Sequence, residues 1–159
     1  MIEIKSIEEH QIEQAKQVVL IVCLEIWQGA VSEEDFSRID PMSDIHKVKS
    51  HYFDKNGLFL VLVDSDRVVG TGAIRQLEPK ICELKRMWFL KKYRGQGLGQ
   101  KMTQILFNFA RKAGYQKVRL DLANPERQLQ AMRFYRKLGF YPIERYNDSP
   151  CKIFMEKTL

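Results

Sequence analysis

Three glycines lie at short spacing between Arg94 and Gly99, after a predicted strand and before a predicted helix. The preceding stretch Leu84–Leu90 is apolar and strand-like, and Leu98–Ala110 is amphipathic with helical spacing. Glycine lets backbone N–H groups approach an anion that a Cβ would keep away. The start of a helix adds unpaired N–H donors and the positive end of its dipole. The arrangement therefore predicts a binding site for a ligand with a pyrophosphate.

The spacing of these residues does not fit two other nucleotide-binding motifs. A P-loop requires Gly-x-x-x-x-Gly-Lys followed by Ser or Thr. After Gly95 the corresponding positions hold Gln100, Lys101 and Met102. The dinucleotide fingerprint requires Gly-x-Gly-x-x-Gly, and Gln100 stands where its third glycine belongs. Both motifs are therefore excluded.

The elements around the glycines alternate between apolar strands and amphipathic helices. The predicted helices are Glu8–Trp27, Met42–Phe53, Gly97–Lys112 and a last one from Asn124-Pro125 to Leu138, with Asn124 as its N-cap. The predicted strands are Ile2–Ile7, Leu58–Val63, Arg67–Leu77, Ile81–Leu90, Lys117–Leu122, Phe140–Tyr146 and Lys152–Leu159.

The order of these elements predicts the topology of the sheet. Leu58–Leu90 is expected to form an antiparallel meander, and Lys117–Leu122 returns after a helix, so it should lie parallel to the strand before the glycines. We therefore expect an α/β (α+β) fold. Its central sheet is mixed and mostly antiparallel, with about six to seven strands and helices on both faces.

The composition is that of an ordinary globular protein. The chain has 159 residues, of which 45% are hydrophobic and 29% charged, and this length predicts one domain over residues 1–159. The net charge of +6 suits an anionic ligand, but the basic residues are scattered, so we expect no nucleic-acid partner. We expect no signal peptide at Met1–Lys5, and no apolar run approaches the length needed to span a membrane. We therefore expect a cytoplasmic location and no membrane partner.

The cysteines and histidines do not form a recognisable metal or disulfide pattern. Cys23, Cys82 and Cys151 are far apart in the sequence, no Cys-x-x-Cys spacing occurs, and the three histidines do not group with them. An odd number of cysteines with no framework argues against a secreted disulfide scaffold. We therefore expect neither structural disulfides nor a bound metal.

The segment Arg94-x-x-Gly97-x-Gly99 resembles the (Gln/Arg)-x-x-Gly-x-(Gly/Ala) motif of the GNAT N-acetyltransferase superfamily. Three more segments resemble the family's fourth strand, its last helix with the Gly-Phe exit and its closing strand, namely Glu83–Phe89, Ala131–Phe140 and Ile153–Lys157. The resemblance covers the chain from about Leu58 to the C-terminus. It implies the GNAT acyl-CoA N-acyltransferase fold. It also implies transfer of an acetyl group from acetyl-CoA to a primary amine by direct attack in a ternary complex.

The resemblance also implies where the cofactor binds. In the family the pyrophosphate rests on the backbone of the glycine turn, which corresponds here to Arg94, Gly95, Gln96, Gly97, Leu98, Gly99 and Gln100. The family parts the strand before this turn from the strand after it, and pantetheine bonds to the exposed backbone, here Met87, Trp88 and Phe89. Gln128 stands where the family often has an asparagine that touches the cofactor, and it offers the same amide on a longer stem.

Amine acylation requires a proton acceptor, because an alkyl ammonium with a pKa of roughly 10.4 is mostly protonated at neutral pH. Glu83 matches a strand glutamate that serves as base in some family members, and an ordered water chain is the alternative. Glu83 lies six residues before Phe89, so even spacing predicts that the two side chains share a face. Tyr135 matches the helix tyrosine that gives a proton or a hydrogen bond to the leaving thiolate in much of the family.

The acceptor amine is the least defined part of the prediction. Lys85 and Arg86 lie beside Glu83 and would suit a carboxylate-bearing amine, although a solvated sheet face explains them equally well. We expect a small-molecule or amino-acid-like acceptor. The alternatives are a protein or peptide acetyltransferase acting on lysine or an N-terminus, and a non-catalytic acyl-CoA-binding module. A homodimer through an exposed sheet edge stays open.

Overall fold

The computed structural model describes all 159 residues, Met1–Leu159. Seven strands form one sheet in the order β1-β2-β3-β4-β5-β7-β6. They are β1 (Ile2–Ser6), β2 (Leu58–Asp64), β3 (Arg67–Glu78), β4 (Ile81–Phe89), β5 (Lys117–Leu122), β6 (Tyr141–Pro142) and β7 (Ile153–Thr158). Neighbouring strands are antiparallel except for β4 and β5, which are parallel. The predicted mixed sheet and its parallel return are confirmed.

Helices cover both faces of the sheet. They are α1 (Ile12–Trp27), α2 (Glu33–Ile39), α3 (Ser43–His46), α4 (Val48–His51), α5 (Leu98–Lys112) and α6 (Leu129–Lys137). Helices α1 to α4 bury their apolar side chains against one face, and α5 and α6 bury theirs against the other, so the protein has two apolar cores. No helix is long and apolar enough to cross a membrane.

Two helix predictions were wrong in their extent. The single helix predicted over Met42–Phe53 is two short helices, because the backbone leaves the helical region at Lys47, with φ −113° and ψ 53°. The last helix begins at Leu129 rather than at Asn124. The Asn124 side chain does accept the N–H of Glu126 at 2.9 Å, as an N-cap does, but it closes a turn that lies before the helix.

The strand predicted over Phe140–Tyr146 is also much shorter than expected. Only Tyr141–Pro142 pairs as β6, and residues 143–152 form a loop between β6 and β7. This loop folds around the guanidinium of Arg145, which donates to the carbonyl oxygens of Ser149 at 2.6 Å and Cys151 at 2.8 Å. The middle of the loop thus has its carbonyl groups satisfied by a side chain, and only its ends, Ile143 and Lys152, donate to strand backbone.

A bulge in β4 reverses the alternation of side chains along that strand. Thr71 of β3 pairs with Trp88, and Ala73 pairs with Lys85, so two residues of β4 lie opposite Gly72 alone. A Cβ at Gly72 would lie 2.5 Å from the sulfur of a methionine in α5, so only glycine fits opposite the bulge. One extra residue in a strand moves the side chains that follow it to the other face.

The bulge overturns the prediction that Glu83 and Phe89 share a face. Phe89 packs into the core beneath α5, whereas Glu83 contacts Arg75 on the opposite face. The first bulged residue, Arg86, has φ +58°, a value that costs a residue with a side chain some strain. Its carbonyl oxygen accepts a hydrogen bond of 2.6 Å from the hydroxyl of Thr71.

The side chain of Arg86 fastens the bulge to the connection between α2 and α3. Its guanidinium donates to Asp40 at 2.9 Å and to Asp44 at 2.7 Å and 3.1 Å, and Tyr52 donates its hydroxyl to Asp44. Burial opposes ionisation of the two carboxyls, but the hydrogen bonds from Arg86 outweigh it and hold the pKa of Asp40 and of Asp44 below the ordinary value. Loss of the Arg86 charge would leave the two carboxylates buried and uncompensated.

Candidate active site

A cleft opens where β4 and β5 part. The two strands pair only as far as Glu83 and Arg119. Beyond that pair a cavity of about 290 Å³ lies between residues 84–88 and 120–123. Side chains from α6 and from two loops complete its lining, namely Gln128, Ala131, Tyr135, Asp40 and Cys151. Strand backbone that has lost its partner exposes hydrogen-bonding groups, so an extended ligand can take the place of a strand here.

The glycine turn presents an open backbone at the start of α5. Gly95 and Gly97 have φ +73° and +77°, and a Cβ added at either would meet no atom within 4 Å. Gly97 is the N-cap of α5 and has no side chain that could bond the first-turn N–H groups. Gln96 closes the turn by donating its amide to the carbonyl oxygen of Lys92 at 2.8 Å. Free N–H donors at a helix start form an anion site.

Arg94 holds the turn in place through its side chain. Its Nε donates to the carbonyl oxygen of Phe89 at 2.7 Å, and its Nη1 pairs with Glu25 of α1 at 2.6 Å. The turn also lies against α6, since a Cβ added to Gly99 would lie 3.5 Å from the ring of Phe134. The glycine turn is thus connected to β4, α1 and α6 at once.

The remaining predicted cofactor residues divide between the cleft and the turn. Met87, Trp88 and Gln128 line the cleft, whereas Leu98 is buried beneath the turn and Gln100 is exposed in the first turn of α5. The side-chain oxygen of Gln128 already accepts the backbone N–H of Asn124 at 3.1 Å, whereas no hydrogen bond engages its amide N–H groups. The Nε1 atom of Trp88 is buried without a hydrogen-bond partner, which is rare for a polar atom inside a protein.

Tyr135, in the last turn of α6, lines the cleft. It is 6% exposed and is held edge-on by the rings of Phe134 and Phe140, at centroid distances of 5.2 and 5.4 Å. Burial raises the pKa of its hydroxyl. The hydroxyl therefore stays protonated at neutral pH and is a hydrogen-bond donor at this position.

Glu83 lies behind the cleft lining rather than in it. Its side chain is 1% exposed. One carboxylate oxygen accepts from Arg75 at 3.1 and 3.2 Å, with Lys85 at 3.8 Å, and the other accepts the hydroxyl of Tyr146 at 2.7 Å. The next two residues, Leu84 and Lys85, do line the cleft. The structure thus brings Glu83 beside the cleft but separates it from direct contact with a ligand.

Asp121 is a cleft carboxylate that the sequence analysis missed. One of its oxygens accepts hydrogen bonds from Asn147 at 2.9 Å and Ser149 at 3.0 Å, and no basic group lies within ion-pair distance of it. The alternation in Lys117–Leu122, with every second residue buried, signals that Asp121 points away from the α5 core, but no spacing connects it to the loop. Cys151 lies nearby, and burial raises the pKa of its thiol.

The family comparison agrees with this geometry. The pattern of the Acetyltransferase (GNAT) family matches residues 24–140. This stretch includes the cleft strands, the glycine turn and α6. The chain belongs to the GNAT acetyltransferase family.

Individual relatives are similar over part or all of the chain. Human N-acetyltransferase 8B is 36% identical over 104 residues, which are 62% of this chain and 44% of that protein. The chain thus spans less than half the length of this relative. The Escherichia coli uncharacterized N-acetyltransferase YjgM is 29% identical over 120 residues, 73% of this chain and 69% of that one. The structure of PaiA N-acetyltransferase from Thermoplasma acidophilum, in complex with coenzyme A, has the same fold. Its TM-score is 0.81 at 20% identity, covering 100% and 99% of the two chains.

Replacement of Gly97 by alanine tests the glycine turn as the anion site. The Gly97→Ala methyl group would project into the open space over the turn. We expect it to weaken coenzyme A binding about tenfold or more, because one charge-assisted hydrogen bond contributes about 1.5–3 kcal/mol. Isothermal titration calorimetry with coenzyme A measures this change.

Gly114→Ala is the matched control for this variant. Gly114 has φ +94°, and a Cβ there would also meet nothing within 4 Å, but it ends α5 rather than starting it. Both substitutions should lower the free energy of unfolding by about 1–2 kcal/mol, the cost of a left-handed alanine. Equal coenzyme A affinity in the two variants would remove the turn from the binding site.

Proposed function

We propose that this protein transfers the acetyl group of acetyl-CoA to the primary amine of a small, amino-acid-like acceptor, by direct attack in a ternary complex. The observation that carries the proposal is the parting of β4 from β5 directly before an open glycine turn, with the Tyr135 hydroxyl in the gap. These features give one extended binding surface for a phosphate-bearing, peptide-like ligand. The Tyr135 hydroxyl, which lines the same surface, supports the proposal as a candidate proton donor.

The donor side of the cleft suits acetyl-CoA. The open N–H groups at Gly97 suit its pyrophosphate, and the unpaired edge of β4 at Met87–Phe89 suits the amides of its pantetheine arm. The unpartnered Nε1 of Trp88 is one further donor for a ligand carbonyl. When bound, the cofactor supplies an activated acetyl group as a thioester.

Tyr135 is proposed to stabilise the leaving group. As the nitrogen lone pair forms the bond to the acetyl carbon, the carbon–sulfur bond breaks and negative charge develops on sulfur. A protonated hydroxyl beside the sulfur can donate a hydrogen bond or its proton to that charge. Burial, which raises the pKa of Tyr135, keeps the hydroxyl in the donating form across the neutral range.

Substitution of Tyr135 by phenylalanine tests this role. We expect Tyr135→Phe to lower kcat by about tenfold to a hundredfold, the usual effect of losing a general acid, with little change in KM for acetyl-CoA. Steady-state rates of thiol release measure both constants. Tyr115→Phe is the control, because Tyr115 is also buried but donates to the carbonyl oxygen of Asn56 at 2.8 Å, outside the cleft. Equal turnover in the two variants would remove Tyr135 from the mechanism.

Glu83 is proposed to receive the proton that the amine loses. The amine nitrogen must lose a proton as it becomes an amide, and Glu83 is the carboxylate beside the point where β4 and β5 part. Because Glu83 is 1% exposed and does not line the cleft, we propose that the proton reaches it through bound water. Arg75 and Tyr146 hold the carboxylate in one orientation toward that path.

Substitution of Glu83 by glutamine should separate proton transfer from binding. We expect Glu83→Gln to lower kcat about a hundredfold and to leave coenzyme A affinity unchanged. Pre-steady-state and steady-state rates above and below neutral pH measure the loss. Glu156→Gln is a close control, since Glu156 is a buried carboxylate paired with Arg119 on β5, away from the cleft lining. If both variants lose the same activity, the effect of Glu83 is structural.

The acceptor side of the cleft carries one cation that is only loosely paired, at 3.8 Å from Glu83, and one carboxylate with no ion-pair partner. Lys85 lines the cleft with its side chain 26% exposed, and Asp121 lies on the opposite strand. Arg86 is not available, because its guanidinium is engaged by Asp40 and Asp44. We propose that Lys85 binds the acceptor's carboxylate and Asp121 its ammonium.

Cys151 is the one thiol in the cleft lining, but burial raises the pKa of that thiol and makes it a weak nucleophile. This favours direct attack by the amine over an acyl-enzyme intermediate.

A panel of matched amines tests the acceptor class. We expect amino acids to be acetylated faster than their carboxamides, because Lys85 pairs with the carboxylate, and we expect Lys85→Met to remove that preference. Coenzyme A release with a thiol reagent gives the rates. Faster transfer to lysine-containing peptides would favour the peptide alternative. Tight acetyl-CoA binding without transfer to any amine would favour the non-catalytic module.

A further inference from the structure

The two edges of the sheet differ in how they are protected from pairing. The β6 edge is two residues long and contains Pro142, and short strands with proline are a common defence against edge pairing. The β1 edge, Ile2–Ser6, is five residues long, has no proline and lies at the other end of the sheet order. The β1 edge therefore offers an unblocked row of backbone donors and acceptors.

The outward-facing groups of β1 follow from its pairing with β2. Ile7 donates its N–H to the carbonyl oxygen of Phe59 at 3.0 Å, and backbone groups of alternate residues in an antiparallel strand point to the same side. The odd-numbered residues therefore bond β2. Ile2, Ile4 and Ser6 direct their N–H and C=O groups away from the sheet, where no strand of the same chain meets them.

The sequence of β1 is complementary to itself when reversed. In an antiparallel pair centred on Ile4, Ile4 faces Ile4 of the second copy, Ile2 faces Ser6, and Glu3 faces Lys5 on both sides of the axis. Opposite charges directly across an antiparallel pair are stabilising, and like charges are destabilising. The outward-facing residues are also the ones that would exchange backbone hydrogen bonds in this register.

We propose that two copies of this chain associate through β1, antiparallel about a two-fold axis at Ile4, so that their sheets form one continuous sheet. The interface is isologous, as closed dimers require. Neither a shifted register nor a parallel arrangement pairs Glu3 with Lys5 in both copies. The self-complementary charges thus favour a second copy of the chain over an unrelated strand.

The apolar side chains of β1 also favour a second copy of the chain as its partner. Ile2 and Ile4 line a groove of about 670 Å³ beside α5, together with Leu98 and Ile105. Ile2 is 41% exposed and Ile105 is 40% exposed. Pairing of two β1 strands brings the isoleucines of both copies side by side on this face, while Glu3 and Lys5 pair on the other face.

A charge-reversal cycle measured by sedimentation velocity tests the dimer. Lys5 also pairs with Glu8 of its own chain at 3.0 Å, so all variants are made in a Glu8→Gln background. We expect a concentration-dependent dimer. Glu3→Lys should raise its dissociation constant about tenfold or more, because two attractive pairs become repulsive. The double variant Glu3→Lys/Lys5→Glu should restore the dimer.

The control is Glu13→Lys, which makes the same charge change on α1, where Glu13 pairs only with Lys16 of its own helix. It should leave the dissociation constant unchanged. The proposal is overturned if the chain sediments as a monomer at every concentration, if Glu3→Lys behaves like the control, or if the double variant does not recover association. Because the readout is mass rather than turnover, these outcomes are independent of the proposed acetyl transfer.

Discussion

The bulge in β4 is the constraint on which the rest of the site depends. It sets the face on which each later residue of the strand points, and so it decides which side chains meet the cleft and which meet the core. Its backbone is strained at Arg86, and the buried contacts of Arg86 with Asp40 and Asp44 hold that conformation. A buried ion cluster is weak evidence of stability in itself, but it has one arrangement that satisfies every member. The cluster thus holds the bulge in place at Arg86, three residues beyond the last pair of β4 with β5 at Glu83.

Where β4 and β5 part, each of the two strands keeps its other neighbour in the sheet. β5 continues to pair with β7 on its other side along its whole length, from Lys117 to Leu122, so β5 loses no support when it leaves β4. β4 likewise remains paired with β3 beyond the bulge, at Trp88 and Phe89. Each strand keeps one partner, and the gap between them exposes polar backbone without unfolding either edge. Both sides of the cleft are therefore strands that stay paired within the sheet.

Much of the fold could be predicted from the sequence because its signals are local. Strand β5 has the predicted bounds, and α5 begins one residue after the predicted start, since alternation and helical spacing are read from adjacent residues. The glycine turn could also be predicted from the sequence, because the positive φ angles at Gly95 and Gly97 require glycine.

The predictions that failed depended on contacts between distant parts of the chain. The bulge follows from Arg86 meeting residues more than 40 positions earlier, and no spacing within β4 reveals it. The strand predicted over Phe140–Tyr146 does not extend beyond Pro142, because the guanidinium of Arg145 organises the loop that follows. Asp121 was overlooked because its partners, Asn147 and Ser149, come from that same loop.

The bridge from Arg94 to Glu25 gives the glycine turn a mechanical connection to the first helix. An anion resting on the turn would compete with Glu25 for the guanidinium of Arg94, and the expected consequence is a weaker contact between the turn and α1. The coupling is reciprocal, since whatever orders α1 must change anion affinity by the same factor. Its size is limited because both partners are partly solvated, at 35% and 43% exposure, where an ion pair contributes about 0–1 kcal/mol. Anion binding at the glycine turn and the order of α1 are therefore coupled only weakly. Such coupling gives a gradual adjustment rather than a switch.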